Sequence, residues 1–163
     1  KGKLLIQPSR KSKQKVTKSL SRTIKYYHEA NQELLIIKLN QITRGWAEYH
    51  HCACAKKTYA LIDHRLWEML WKWAKRRHPR KGKKWIKNRY WHPKGNREWS
   101  FRTDKAILYQ MMDMPIVRIR SLDLKKNPFL DGEYFEHRRK QHKKDKETAY
   151  LSSTAALSGY YAL

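Results

Sequence analysis

From Val16 to Glu29 the apolar positions Val16, Leu20, Ile24 and Tyr27 recur every three to four residues. That is the period of a helix with one face against a core. The same period resumes after Asn31, a residue type suited to capping a helix, in Leu35, Leu39, Ile42, Trp46 and Tyr49. A second core-facing helix is predicted there, with Trp46 and Tyr49 inside. Gly45 interrupts it at a cost of about 1 kcal/mol relative to alanine, so a neighbouring backbone is expected to approach closely. The strongest period belongs to a third helix, Thr58 to about Arg77, with Tyr59, Ile62, Leu66, Met69, Leu70 and Trp73 on one face. Trp67 and Trp71, at i and i+4, widen that face and are expected to pack, and Pro79 ends the helix.

Outside these helices the pattern is less regular. "KLLIQPS" reads as a short strand ended by Pro8, with Ser9 or Ser12 available to cap the first helix. "KKWIKNRYW" predicts a further short helix, and "HPKGN" is a turn signal. Beyond it "REWSF" alternates weakly, "AILYQMM" is apolar, and "PIVRIRSL" alternates as a strand with Arg118 and Arg120 on one face. Glu98 to Leu124 therefore reads as a small β-containing module. "KKNPFLDGEYFEHRRK" follows as a Pro/Gly-broken segment running into a short basic helix, and the stretch from Thr148 to Leu163 carries no charge. The fold class is mainly α: a three-helix bundle followed by a small β-containing basic module.

Charge changes the picture. The 163 residues carry 38 Lys and Arg against 14 Asp and Glu, a formal net charge of +24. A folded domain so charged repels itself, and an anionic partner is the natural explanation. Seven Trp and ten Tyr separate the chain from a disordered basic tail. Core-forming aromatics under a cationic surface point to nucleic acid, with RNA or single strands favoured where aromatics are exposed. The positions support this. Lys11, Lys15, Lys18, Arg22 and Lys25 step by four and three along the first helix with no acid between them. Lys72, Lys75, Arg76, Arg77 and Arg80 continue into Lys81, Lys83, Lys84, Lys87 and Arg89, again without an acid. Trp85, Tyr90 and Trp91 interleave with that run, as suits a phosphate-tracking surface that also stacks. Solvated faces are the plain alternative, although a solvated loop has no need of three large aromatics.

"RGWAEYHHCAC" raises a metal site, since His50, His51, Cys52 and Cys54 lie within five residues. Zinc takes about four ligands, usually in two separated pairs, and no second pair appears in the chain. The expectation is a His- and Cys-rich helix end with no metal. The two cysteines are too close in sequence to bridge well, which fits a reducing compartment, the bacterial cytoplasm or an organelle. No signal peptide and no membrane-spanning run is evident. A start at Lys1, without methionine, reads as the inside of a longer protein.

Several segments carry a resemblance to a known family. "IIKLNQITRGWAEYH", "LIDHRLWEMLWKWAKRRHPRKGKKWIKNRYW", "REWSF" and "NPFLDGEYFEHRRK" resemble the C-terminal part of group II intron reverse transcriptases, the maturases. "LLIQPSRKS" looks like the entry from the polymerase palm into the thumb, and the likeness covers roughly residues 4 to 142. It implies a thumb, or maturase-specific X domain, over residues 1–92 and a DNA-binding region over 93–142; residues 143–163 are left as a tail, either disordered or docked on other parts of the protein. Implied partners are the group II intron RNA, an RNA template–DNA primer duplex, target DNA, and the palm and fingers of the same protein. Splicing assistance and retrotransposition are the implied roles. The two basic runs just described would hold RNA, while Arg118, Arg120, Lys125, Lys126, Arg138 and Arg139 would hold DNA. The family's paired catalytic aspartates are absent, and Asp104 and Asp113 do not replace them, so no catalytic residue and no cofactor is expected in this chain. Mg²⁺ would belong to the palm. The cysteine pairs of the HNH endonuclease that ends some members are also missing. A free-standing basic RNA-binding protein is the competing reading, and a metal-assisted nuclease built on His50 to Cys54 is a third.

Overall fold

Ser9 accepts the amide of Ser12 at 3.2 Å and starts helix α1, Arg10–Tyr26. The computed structural model describes residues 5–95, 97–117 and 120–154. Val16, Leu20 and Ile24 form the buried stripe of α1, with Tyr27 half-buried just beyond its end. Residues 5–9 are not the expected strand. The Cys54 amide donates to the Ile6 carbonyl at 2.8 Å, and one such bond does not make a ladder.

Asn31 caps α2, Gln32–Tyr49, by accepting the Leu34 amide at 2.8 Å. Leu35, Ile36, Leu39, Thr43 and Ala47 are buried, and Trp46 is half-buried, its indole N–H donating to Ser12 Oγ at 3.1 Å. Two expectations fail on this helix. Tyr49 is 81% exposed, and Gly45 has nothing within 4 Å of where a Cβ would stand. Both follow from helical geometry at about 100° per residue. Burial steps along Leu39, Thr43 and Ala47, so residues two away from these point to the other side.

Helix α3, Lys56–Arg77, buries Tyr59, Ile62, Leu66, Leu70 and Trp73 as its period predicts. The Tyr59 hydroxyl donates to the Ala47 carbonyl at 2.8 Å and locks α3 to α2. The helix stops at Arg77, ahead of Pro79, which disfavours helical backbone in the residue before it. The short helix α4, Lys83–Tyr90, follows and anchors itself through Ile86 and Tyr90.

The β structure lies earlier than the alternation suggests. Strands β1, Trp91–Lys94, and β2, Arg97–Phe101, pair antiparallel with Trp91 opposite Phe101 and His92 opposite Ser100. Gly95 turns between them at φ 53°, a backbone angle that favours glycine. Residues 115–117 and 120–122 of "PIVRIRSL" lie in no strand, and Arg118 and Ile119 fall outside the described residues. The hairpin packs on α3 through Trp67 and Trp71, stacked at 5.7 Å, with Trp91 5.2 Å from Trp71 and Trp99 6.0 Å from Trp67. One core runs from Val16 to Met114.

A 3-10 turn at Met111–Asp113 is clamped by Asp63, whose carboxylate accepts the Met111 and Met112 amides at 3.1 and 2.9 Å. Helix α5, Gly132–Thr154, is longer than the short basic helix expected and continues through residues 143–154. No described side chain of α5 is fully buried; polar contacts and the half-buried Tyr150 ring, packed on the core, hold it against the bundle.

Candidate nucleic-acid interface

Lys11, Lys15, Lys18, Arg22 and Lys25 are all exposed on α1, on the side away from Val16, Leu20 and Ile24. The spacing that buries one stripe thereby presents the other. At the end of α3, Lys72, Lys75 and Arg76 are likewise exposed. The two helices meet over a groove of about 690 Å³. Its floor is Ile24, Met69 and Trp73, and its cationic rim is Lys25, Lys72 and Arg76.

Arg77 has a different job. Its guanidinium donates to the His28 carbonyl at 3.2 Å and the Ala30 carbonyl at 2.5 Å, and it lies 4.8 Å from the Trp73 ring. It ties the α1–α2 turn to α3 while still lining the groove. A second depression, about 380 Å³, shares Trp73 and Arg77 with the first and adds Arg89, His92 and Arg102. Gln32 braces its wall by donating to the Tyr90 and Arg102 carbonyls at 2.9 and 3.2 Å. Arg89 is shared in turn with a third depression, lined by His78, Trp85 and Asn88. The three form one track from α1 across the end of α3 to α4. Glu29, Glu33 and Asp104 are the acids along it.

Around the third depression Arg80, Lys81, Lys83 and Lys84 are exposed. Lys87 is half-buried, its ammonium 4.6 Å from the Trp99 ring, and so supports the hairpin. Sequence reasoning missed Gln32, Asn88, His92 and Arg102. They come from four elements or loops, and no local spacing marks them as neighbours.

Three of the six residues expected to hold DNA are engaged inside the chain. Arg120 pairs with Asp145 at 2.8 Å, and Lys126 with Asp131 at 2.9 Å. Arg138 donates to the Ser121 carbonyl at 2.8 Å and to the Arg120 carbonyl. The Arg120 and Arg138 contacts fix α5 to the preceding loop, and the Lys126–Asp131 pair braces that loop itself. Lys125 and Arg139 are exposed, and Arg118 lies outside the described residues.

The His- and Cys-rich stretch has local partners. A ring nitrogen of His50 lies 3.2 Å from Ser12 Oγ, and burial pulls its pKa down. His51 bonds the Glu48 carbonyl and lies 3.2 Å from Cys52 Sγ, whose thiol pKa burial raises. Cys54 is exposed. Among the described residues no group of three His, Cys, Asp or Glu could hold a metal. The acids do not fit a two-metal polymerase centre either: Asp113 forms a bidentate pair with Arg97, 2.7 Å at its longer contact, and Asp104 is exposed. No described helix is long and apolar enough to cross a membrane.

Residues 13–91, which contain α1 to α4 apart from the first turn of α1, match the family model described as the group II intron, maturase-specific domain. No curated protein sequence matches the chain.

Proposed function

We propose that this chain, whose residues 13–91 match the group II intron maturase-specific domain, grips its intron RNA along the α1–α3–α4 track and so assists splicing. The continuity of the track carries the reading: Arg77 and Arg89 join depressions that draw cations from three helices. An A-form helix offers phosphates and a wide, shallow minor groove, which such a surface follows without reading sequence. Neutralising phosphates releases counterions, so the grip is salt-dependent. Beside a polymerase palm, the same face suits a template–primer duplex, and contact with target DNA falls to exposed cations such as Lys125 and Arg139. Those roles serve reverse transcription and retrotransposition, and their Mg²⁺ chemistry lies outside this chain's own residues.

The test is competition binding across a salt series, with folded group II intron RNA against an unrelated structured RNA. A preference of about tenfold that survives raised salt supports the maturase reading for these residues by themselves. Equal affinity with a steep salt slope would limit them to an electrostatic grip, as in a general basic RNA-binding protein.

A further inference from the structure

Trp85 is 40% exposed in the middle of a basic run that contains no acid. Its surroundings form a corner. The His78 ring stands 4.8 Å away at 69° to the Trp85 plane. A ring nitrogen of His78 lies 2.8 Å from the Tyr90 hydroxyl, and Tyr90 is itself buried, so this wall is fixed from beneath. Asn88 and Arg89 complete a shallow depression of about 510 Å³. The Asn88 side chain makes no hydrogen bond to another described residue, and the flexible Lys81 ammonium lies over the Trp85 ring, 5.4 Å from its centre, where an entering base would displace it.

We infer that this corner receives one unpaired nucleobase from the RNA that lies along the track; the inference rests on the RNA-binding reading above. A paired base is already stacked on both faces and has none to offer, whereas a bulged or looped base has an open π-face and a free hydrogen-bonding edge. Trp85 supplies the flat surface, His78 closes one side, and the Asn88 amide meets the base edge as donor or acceptor. Arg89 lines both this depression and the adjoining part of the track, so a backbone lying on Arg89 can turn its base into the corner. Lys81 then meets the phosphate of the extruded nucleotide. An acidic peptide would pair with the same cations but would leave the Trp85 face unused.

The test compares three short RNAs on the full chain: a flush duplex, the same duplex with one bulged nucleotide, and the same bulge made abasic. The expected result is binding of the bulged RNA about tenfold tighter than either control, within the range of base–aromatic stacking. Trp85→Ala should abolish that preference, so that the variant binds bulged, abasic and flush RNA alike, while Trp85→Phe retains most of it. Asn88→Ala, at an exposed position, should reduce the preference without altering the melting curve. Equal binding of bulged and abasic RNA would overturn the inference, because backbone distortion would then be what is recognised. A uniform loss with all three RNAs in Trp85→Ala would overturn it too. Flush-duplex binding with no bulge preference sinks this inference alone, whereas failure to bind any of the three sinks the RNA reading with it.

Discussion

Glu48 on α2 receives the ammonium of Lys146 at 2.7 Å, from a residue of α5 that lies 98 positions further along the chain. The Tyr150 hydroxyl, one turn on, donates to the other Glu48 oxygen. Burial raises the Glu48 pKa, but these two hydrogen bonds and the Lys146 charge outweigh it and hold the carboxyl below its ordinary value. With no fully buried side chain among the described residues of α5, these contacts and the packing of Tyr150 on the core are central to its docking.

Glu48→Gln should therefore loosen α5 while the three-helix core stays folded. The pair is partly exposed, so the cost is about 0.5–1 kcal/mol. Hydrogen exchange within residues 141–151 should rise, with amides of α3 unaffected. Since the folded pKa is depressed, the stabilisation is present above the unfolded value and lost as pH falls through the folded one. Protection of α5 in the wild type should fall with acid in the same way, after correction for intrinsic exchange. Unchanged protection in the variant would mean that other contacts hold the helix.

Asp63 should show the opposite sign. Burial raises its pKa to about 6, against the two amide hydrogen bonds that lower it. A raised folded pKa means that the native state binds the extra proton, so this group favours folding increasingly as pH drops from about 6 to about 4. Asp63→Asn lacks one of the two acceptor oxygens and should cost about 1–2 kcal/mol at pH 7. The gap between variant and wild type should widen towards pH 4. Urea melts at pH 7, 6 and 4.5 measure it.

Gly45→Ala should stabilise the chain by about 1 kcal/mol. The site is mid-helix, exposed, and open around the added Cβ. A higher urea midpoint at unchanged slope is the expected result, and destabilisation would point to a partner approaching α2 there.

Neutralising Lys15, Lys18 and Arg22 together should reduce the slope of log affinity against log salt by about two to three for duplex RNA, with little change in melting. An unaltered slope would make the α1 stripe a solvated face. Arg76→Ala and Arg77→Ala separate binding from structure at the end of α3. The first should weaken RNA binding alone, while the second should also cost about 1 kcal/mol of stability through the lost bonds to the His28 and Ala30 carbonyls.

Leu20→Ala should cost about 2–5 kcal/mol, because Leu20 is fully buried in the core shared by α1, α2 and α3. Thermal or urea unfolding checks it, with the RNA salt slope of the folded fraction unchanged.

What the sequence determined by itself was whatever is local or periodic. The stripe Val16–Leu20–Ile24, the face Tyr59–Ile62–Leu66–Leu70–Trp73 and the caps Ser9 and Asn31 are set by spacing and side-chain chemistry within a turn or two. The cationic stripe on α1 was legible for the same reason, and so was the family likeness across residues 13–91. Tertiary structure decided whatever depends on a partner distant in sequence. Tyr49 follows the apolar period yet faces solvent, because the buried face of α2 passes through Thr43 and Ala47. "PIVRIRSL" alternates, yet its described residues enter no strand, whereas "WHPK" pairs with "REWSF" because Gly95 makes the turn and Trp67 and Trp71 offer the surface beneath. Arg77 and Arg76 are adjacent and identical, yet one closes a turn and the other faces the groove. The track itself joins Lys25, Arg76 and Arg89, which lie on three helices. Only their packing angle makes them neighbours, and no one-dimensional spacing encodes that angle.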